Sequence, residues 1–530
     1  MNGRHVISIV LNGHLPFVRH PERPRAREER WFFEALSGTY LPLLEVFDRL
    51  DADHIPFRMG ISLSPTLCHM LRDEVLLRRY LDYTDRQIEF GVRELERTAN
   101  DPPLNRLARL FYDAAVDKRV LFTGRYGGNI LGIFDYYQKK GRIELLTTAA
   151  THGFLPFYVN YPEAIQAQME VALASHRFTF SRIPQGFWLP DLGWSPELEG
   201  YLRMYNFNYT IIETHGVVLG EPFAAKGSFY PAKTPLGVFI LARDYNAFLD
   251  ITDRERGFPR DPVYRDKHQD VGYDLPPEMV RSFLEPAGVR TQTGYKYWAA
   301  GKDGKRRIYD PGEASERVLE HARAFLAARI DQLAAAGEYM GGSAISLCAY
   351  NADMFGRHWY EGPRFLEALF REGAGRKEIQ FMNPAEYLYK QDSAALQTVV
   401  PEFSSWGVNG YAETWLDASN DWMYRHGMRA LDRMIEMAER FPNNSGLKER
   451  ALNQAAREIL LVQSSDWPKM LYKQDNAAYA RSRIEGSLRN FTTIYESLGS
   501  NYISTEWLTS LERRHNIFPA INYRVFRHKK

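Results

Sequence analysis

Two cysteines in 530 residues, Cys68 and Cys348, leave nothing for a disulfide scaffold and match no metal-ligand spacing. Charge of one sign is missing too: 67 Lys and Arg stand against 66 Asp and Glu, a net of +1. Without a bulk field, nucleic acid and anionic membrane drop out as main partners. No run of about 20 apolar residues exists to cross a bilayer. The apolar stretch 6–11 is shorter than a secretory signal core and leads straight into polar residues. A cytoplasmic protein is the expectation. Internal repeats and low-complexity segments are absent, and the basic stretch 513–530 reads as a solvated tail.

What is abundant is aromatic: 14% of residues, including 10 Trp, 31 Tyr and 31 Phe. Such rings build cores, and they also stack on the apolar C–H face of a pyranose. Short apolar runs rich in β-branched residues recur at 5–12, 57–64, 143–150, 185–191, 209–216, 237–244, 344–351 and 378–384. They read as buried strands, with helical patterns at 30–50, 76–98, 105–138 and 312–337 between them. Alternation of this kind predicts a parallel sheet curled into a closed or nearly closed barrel. Polar residues end the strands: Asn12 with His14, His152, Asp191, His215, Arg243 with Asp244, and Asn351. Sites in such barrels lie at the carboxyl ends of the strands. Beyond residue 392 the strand signal fades into helical spacing at 420–440, 447–463 and 475–498, which predicts a helical C-terminal domain.

Six segments then matter in order: LNGHLPFVRHP (11–21), ATHGFLPF (150–157), GFWLPDLGWSP (186–196), YNADMFGRHWYEGPRFL (350–366), SSWGVNGYAETWLDASNDW (404–422) and SSDWPKM (464–470). This set resembles glycoside hydrolase family 57, most closely its branching-enzyme group. The resemblance implies an incomplete (β/α)7 TIM-like barrel over 1–391, with a small insertion at about 192–232 and a long loop at 244–275. A helical domain over 392–530 would complete the cleft. It also implies an α-1,4-glucan or malto-oligosaccharide as substrate, retention with transfer to a 6-hydroxyl, and no metal or organic cofactor.

A retaining glycosidase needs a carboxylate nucleophile and a second carboxyl that acts as acid and then base, about 5–5.5 Å apart. Similar family members carry Glu and Asp at the two positions; this chain has Asp191 and Asn351. Asp191 keeps the charge on an arm shorter by roughly 1 Å, and misplacement of that size costs about 10²-fold. An amide at 351 neither gives nor takes the required proton, a loss of about 10²–10⁴-fold. The expectation is an α-glucan-acting protein that is impaired or inactive. The alternative is an active branching enzyme or weak hydrolase in which Asp353 substitutes as acid, since positions 351 and 353 share one side of an extended strand. A minor reading has Asp191, His14 and His152 ligating a metal, as in related zinc-dependent barrels.

Other departures run the same way. Where similar members read FGHWWYEG, this chain reads FGRHWYEG, so Arg357 and His358 replace a His and a Trp. The resemblance assigns substrate binding to His14, His152, Trp188, His215, Arg243, Trp359, Trp406, Trp415, Asp466 and Trp467. The long tyrosine-bearing lid of some branching enzymes has no match, because 217–236 is short and Tyr230 is its only tyrosine.

Overall fold

The structure is a computed structural model that describes residues 4–285, 288–301 and 305–529. Its strands are β1 (His5–Gly13), β2 (Met59–Leu63), β3 (Ile143–Thr148), β4 (Gly186–Trp188), β5 (Tyr209–Ile212), β6 (Ala232–Lys233), β7 (Phe239–Ala242), β8 (Trp298–Ala299), β9 (Arg307–Ile308), β10 (Ile345–Asn351) and β11 (Ile379–Phe381). Each of the eight expected runs forms one; β1 and β10 reach through Asn12 and Asn351, and the other six stop short of the expected carboxyl end. β8 and β9 form a small antiparallel pair apart from the main sheet. The main sheet runs β10-β1-β2-β3-β4-β5-β7-β6, with β11 beside the start of β1, and only the β6–β7 pairing is antiparallel. Strands such as β1 (HVISIVLNG) are buried along almost their full length, as expected when helices cover the outside and side chains fill the inside.

Closure is incomplete. β7 meets β10 through a single bridge, Arg243 to Leu347, where the Asp244 amide donates to the Leu347 carbonyl (2.8 Å). The curled sheet is therefore an open barrel with a seam between β7 and β10, and the C-terminal part of the chain is helical, as expected. Among the described residues after β11 no strand is present. The helices Asp421–Arg440, Gly446–Val462, Asp466–Lys473, Ala477–Gly499 and Thr505–Arg514 pack there, with Leu431, Met434 and Ala438 buried on one face of the first.

Four local expectations change. The helix expected over 30–50 is interrupted by a wider turn at Leu36–Tyr40, and the one over 105–138 breaks before Ile130, where Gly127 and Gly128 take positive φ. The stretch 244–275 holds the helix Tyr245–Thr252, started by the Asp244 carboxylate accepting from the Ala247 amide (3.0 Å). The basic terminal stretch is not free in solvent. Arg524 Nε donates to the Pro442 carbonyl (2.7 Å) and the His528 amide to Glu439 (2.8 Å). No described helix is long and apolar enough to cross a membrane.

One buried carboxyl lies near the amino ends of the strands. Tyr209 Oη (2.6 Å) and the Ala385 amide (2.9 Å) both donate to Glu144. The tyrosine ring crosses β4 at Gly186, where a Cβ would stand 2.3 Å from Tyr209 Cζ. Burial raises the Glu144 carboxyl to about 7, with the two hydrogen bonds opposing. A raised carboxyl stabilises the fold below its unfolded value, near 4.5, and loses that contribution as pH rises through 7. Thermal melts of wild type and Glu144→Gln at pH 5 and pH 8 should show the variant gaining about 1–3 kcal/mol relative to wild type at the higher pH.

Candidate active-site cleft

At the carboxyl ends of the strands lies a cavity of about 1290 Å³ between the barrel and the helical domain. Six of the residues expected to form the site line it: Asp191, His215, Arg243, Asn351, Trp406 and Trp415. Asp191 sits on the turn after β4 at φ 52°, ψ 28°, followed by Leu192 at φ 50°. Two successive left-handed residues, the second without the polar side chain that eases this conformation, make a strained turn. It is held from outside: the Asp191 carbonyl accepts from the Trp406 amide (2.8 Å), and Trp194 exchanges backbone hydrogen bonds with Ser404.

The helical domain reaches into the barrel at Ser464–Asp466. The Ser465 amide donates to the His152 carbonyl (3.1 Å), and Ser465 Oγ lies 2.5 Å from Asp191 Oδ2 and 3.0 Å from His152 Nδ1. His152 is pushed well below its ordinary value, by burial first and by neighbouring His14 second, so its ring is neutral. Asn12 Nδ2 lies 3.3 Å from His152 Nε2 and 3.5 Å from Asn351 Oδ1. With a neutral ring these contacts define one direction: Asn12 donates to Nε2, Nδ1–H donates to Ser465, and Ser465 donates to Asp191. A hydrogen-bond chain therefore joins position 351 to position 191. Burial raises the Asp191 carboxyl, while Lys469 and the Ser465 hydroxyl act against that rise.

His14 lies behind this chain, stacked on His152 with centroids 3.9 Å apart and planes 9° from parallel. Its Nδ1 meets Ser64 Oγ (3.0 Å) and its Nε2 meets Asp466 Oδ2 (2.8 Å). Burial alone would raise the Asp466 carboxyl, but His14 outweighs it and holds the group well below the usual carboxylate range. Both His14 nitrogens are thus spent. Among the described residues no group of three or more His, Cys, Asp or Glu is arranged to hold a metal ion. That removes the geometric basis for the metal reading.

Opposite, Arg243 and Glu213 form a buried pair (Nη2 to Oε2, 2.7 Å). The guanidinium carbon lies 3.5 Å from the Phe248 ring centroid and 4.9 Å from that of Trp406, while Nη1 is buried without a protein partner. His215 Nε2 meets the Gly410 carbonyl (2.9 Å). Gly410, at φ 80°, leaves 2.7 Å between a would-be Cβ and the His215 ring, so glycine is required there. Tyr245 and Tyr411, 53% and 48% exposed, add aromatic surface to the cavity.

The remaining expected residues lie elsewhere. Trp188, Trp359 and Trp467 are at most 2% exposed and packed in apolar clusters, so their faces are taken up by protein. Trp415 also lines the cavity, but it is equally buried and stacked on Phe154 at 5.3 Å. Asp353 does not line the cavity. His358 Nε2 (3.1 Å) and Arg357 Nη1 (3.6 Å) flank its carboxylate. Burial would raise that carboxyl; the contacts with His358 and Arg357 prevail and hold it far below the ordinary range. Ser465, Glu213 and Lys469 were not singled out from sequence, although a charged residue ending β5 and a lysine one turn beyond Ser465 were both visible.

A parallel open barrel whose strand ends carry a buried carboxylate, an arginine–glutamate pair and exposed tyrosines, capped by helices, has the architecture of a carbohydrate-active protein. Residues 8–270 match the model of glycosyl hydrolase family 57, and residues 426–526 match the C-terminal domain of 1,4-α-glucan branching enzymes. A solved Thermotoga maritima protein described as the α-amylase AmyC is 34% identical, with a TM-score of 0.93 over 100% of both chains. A branching enzyme of Pyrococcus horikoshii is 27% identical with a TM-score of 0.88, covering 99% of this chain and 97% of that one. A 1,4-α-glucan branching enzyme of Thermococcus kodakarensis is 28% identical over 97% of this chain and 77% of its own length. The chain belongs to glycoside hydrolase family 57.

Ser465 supplies the only side-chain hydrogen bond to Asp191 among the described contacts. Ser465→Ala should raise the Asp191 carboxyl further, which a ¹³C NMR titration of labelled aspartate reads directly.

Proposed function

We propose that this chain binds α-1,4-glucan in the cleft and that its branching chemistry is impaired or absent. One observation carries the reading. The acid/base position holds Asn351, whose amide lines the cavity on the far end of the hydrogen-bond chain from Asp191. An amide has no proton of suitable acidity for the leaving oxygen, and it cannot deprotonate an acceptor hydroxyl.

Asp353 does not fit the vacant role. Its carboxylate is held ionised by His358 and Arg357 and lies off the cavity lining, whereas a general acid must keep its proton near neutral pH. The nucleophile is weakened as well. Asp191 carries the shorter arm, and its burial favours the neutral, non-nucleophilic form. Both losses fall on one site, so they are not independent; together they correspond to a rate lower by about 10⁴-fold or more.

The cleft keeps groups suited to binding sugar. Tyr245, Tyr411, His215 and the free Nη1 of Arg243 offer stacking surface and hydrogen bonds to a neutral sugar. The relatives supply both directions for any residual turnover, since one is described as an α-amylase and others as branching enzymes. The short 217–236 segment favours hydrolysis, because it gives little cover against water.

Incubation with amylose, followed by counts of new α-1,6 linkages and reducing ends, should show at most trace turnover. The double change Asp191→Glu with Asn351→Asp should raise it at least 100-fold. Robust branching by the unmodified chain would refute the reading. An inert double variant would mean that the cleft has lost more than its two carboxyl positions.

A further inference from the structure

The barrel seam carries a feature of its own. Where β7 and β10 part below their single bridge, a depression of about 520 Å³ runs between the loop 226–229 and the helix Pro311–Met340. It shares Thr214, Val218 and Tyr245 with the main cavity, so the two spaces adjoin along these residues. Its volume falls within the roughly 300–1,000 Å³ of small-molecule pockets.

Its chemistry is that of a neutral polar ligand with an apolar face. Tyr339, at the end of the long helix, lines the depression and is 76% exposed, far more than an aromatic ring needs for packing. Met340 lies beside it in the lining. Gln332, one helical face upstream, spends its Nε2 on Asp244 (3.3 Å) and leaves Oε1 buried with no protein partner. A buried, unpaired acceptor is costly unless a ligand or water satisfies it. The carboxylate here is already used: Asp244 accepts from Ser346 Oγ (2.6 Å) and the Ala247 amide (3.0 Å), which leaves no free partner for a cationic ligand. The Lys226 ammonium lies 3.8 Å from the Tyr230 ring centroid.

We infer that the seam groove is a glucan-binding track, holding the glucosyl units of an α-1,4-linked chain that leaves the main cavity past Tyr245. Tyr339 is the stacking platform and Gln332 Oε1 accepts a sugar hydroxyl. The inference rests on the α-glucan reading of the cleft and adds to it a path for chain outside the reaction centre. A site of this kind makes affinity depend on chain length: a short oligosaccharide fills the main cavity alone, and a longer one gains the groove.

Calorimetric titration of the full chain with maltotriose and maltoheptaose tests this. The heptasaccharide should bind about 10-fold tighter. Tyr339→Ala should weaken heptasaccharide binding about 5- to 10-fold and leave maltotriose within twofold, the scale of one aromatic contact. Tyr389→Ala, a 92% exposed tyrosine that lines neither space, should change neither. Equal affinity for both lengths, or a Tyr339→Ala effect absent or equal on both, overturns the track. Failure of both sugars to bind wild-type protein overturns the α-glucan reading itself, and the track with it.

Discussion

The hydrogen-bond chain from Asn351 through Asn12, His152 and Ser465 to Asp191 is the constraint around which the site is organised. It crosses four strand ends and one domain boundary, so the barrel and the helical domain cannot be described separately at this point. Its middle member has to be a neutral imidazole, because one ring nitrogen accepts while the other donates. Burial supplies that neutrality. The stack of His14 on His152 and the pairing of His14 with Asp466 then fix the ring plane and tie the same helical turn a second time. A small motion of the turn at Ser464–Asp466 would disturb both links at once, which makes the domain contact part of the site's geometry.

The same chain explains how the altered residues are accommodated. Asn12 can donate to an amide oxygen at 351, and Ser465 can donate to an aspartate at 191, so neither substitution strands a partner. Asp191 occupies a left-handed turn that aspartate tolerates better than most residues. The strain moves to Leu192, where the contacts of Trp406 and Ser404 with the turn hold it.

Much of the architecture was legible because it follows from periodicity. Eight apolar runs became eight strands, and the polar residues after them mark where the sheet ends and the cleft begins. The helix breaks at 36–40 and near 127–128 were not, since a widened turn leaves the apolar spacing almost intact. The site was legible in part. Asp191, Asn351, His215 and Arg243 face the cavity because strand ends must point there. Trp188, Trp359 and Trp467 did not follow suit: a tryptophan serves core and sugar equally well, and only the packing of neighbours decides which face is free. Ser465 was hidden by its blandness, for a serine beside an aspartate is unremarkable until the fold brings Asp191 to it. Asp353 shows the converse. Strand alternation made it a plausible acid, yet the two residues that hold it ionised, Arg357 and His358, are four and five positions away, where a turn returns them to it.

A catalytic pair of carboxyls in one buried site is intrinsically unstable, because two negative charges at close range resist ionising together and each also loses solvation. Replacing one by an amide removes the repulsion and keeps a hydrogen-bonding side chain of nearly the same shape. On the proposed reading, the shorter arm of the other keeps its charge beside the Ser465 hydroxyl and in the field of Lys469. Both changes therefore relieve electrostatic cost where catalysis requires that it be borne. The exposed tyrosines and the open seam carry no such cost, since on the proposed reading their work is stacking and hydrogen bonding with neutral sugar. Chemistry and binding thus rest on different physical terms in this fold, and the first can be lost while the second stays.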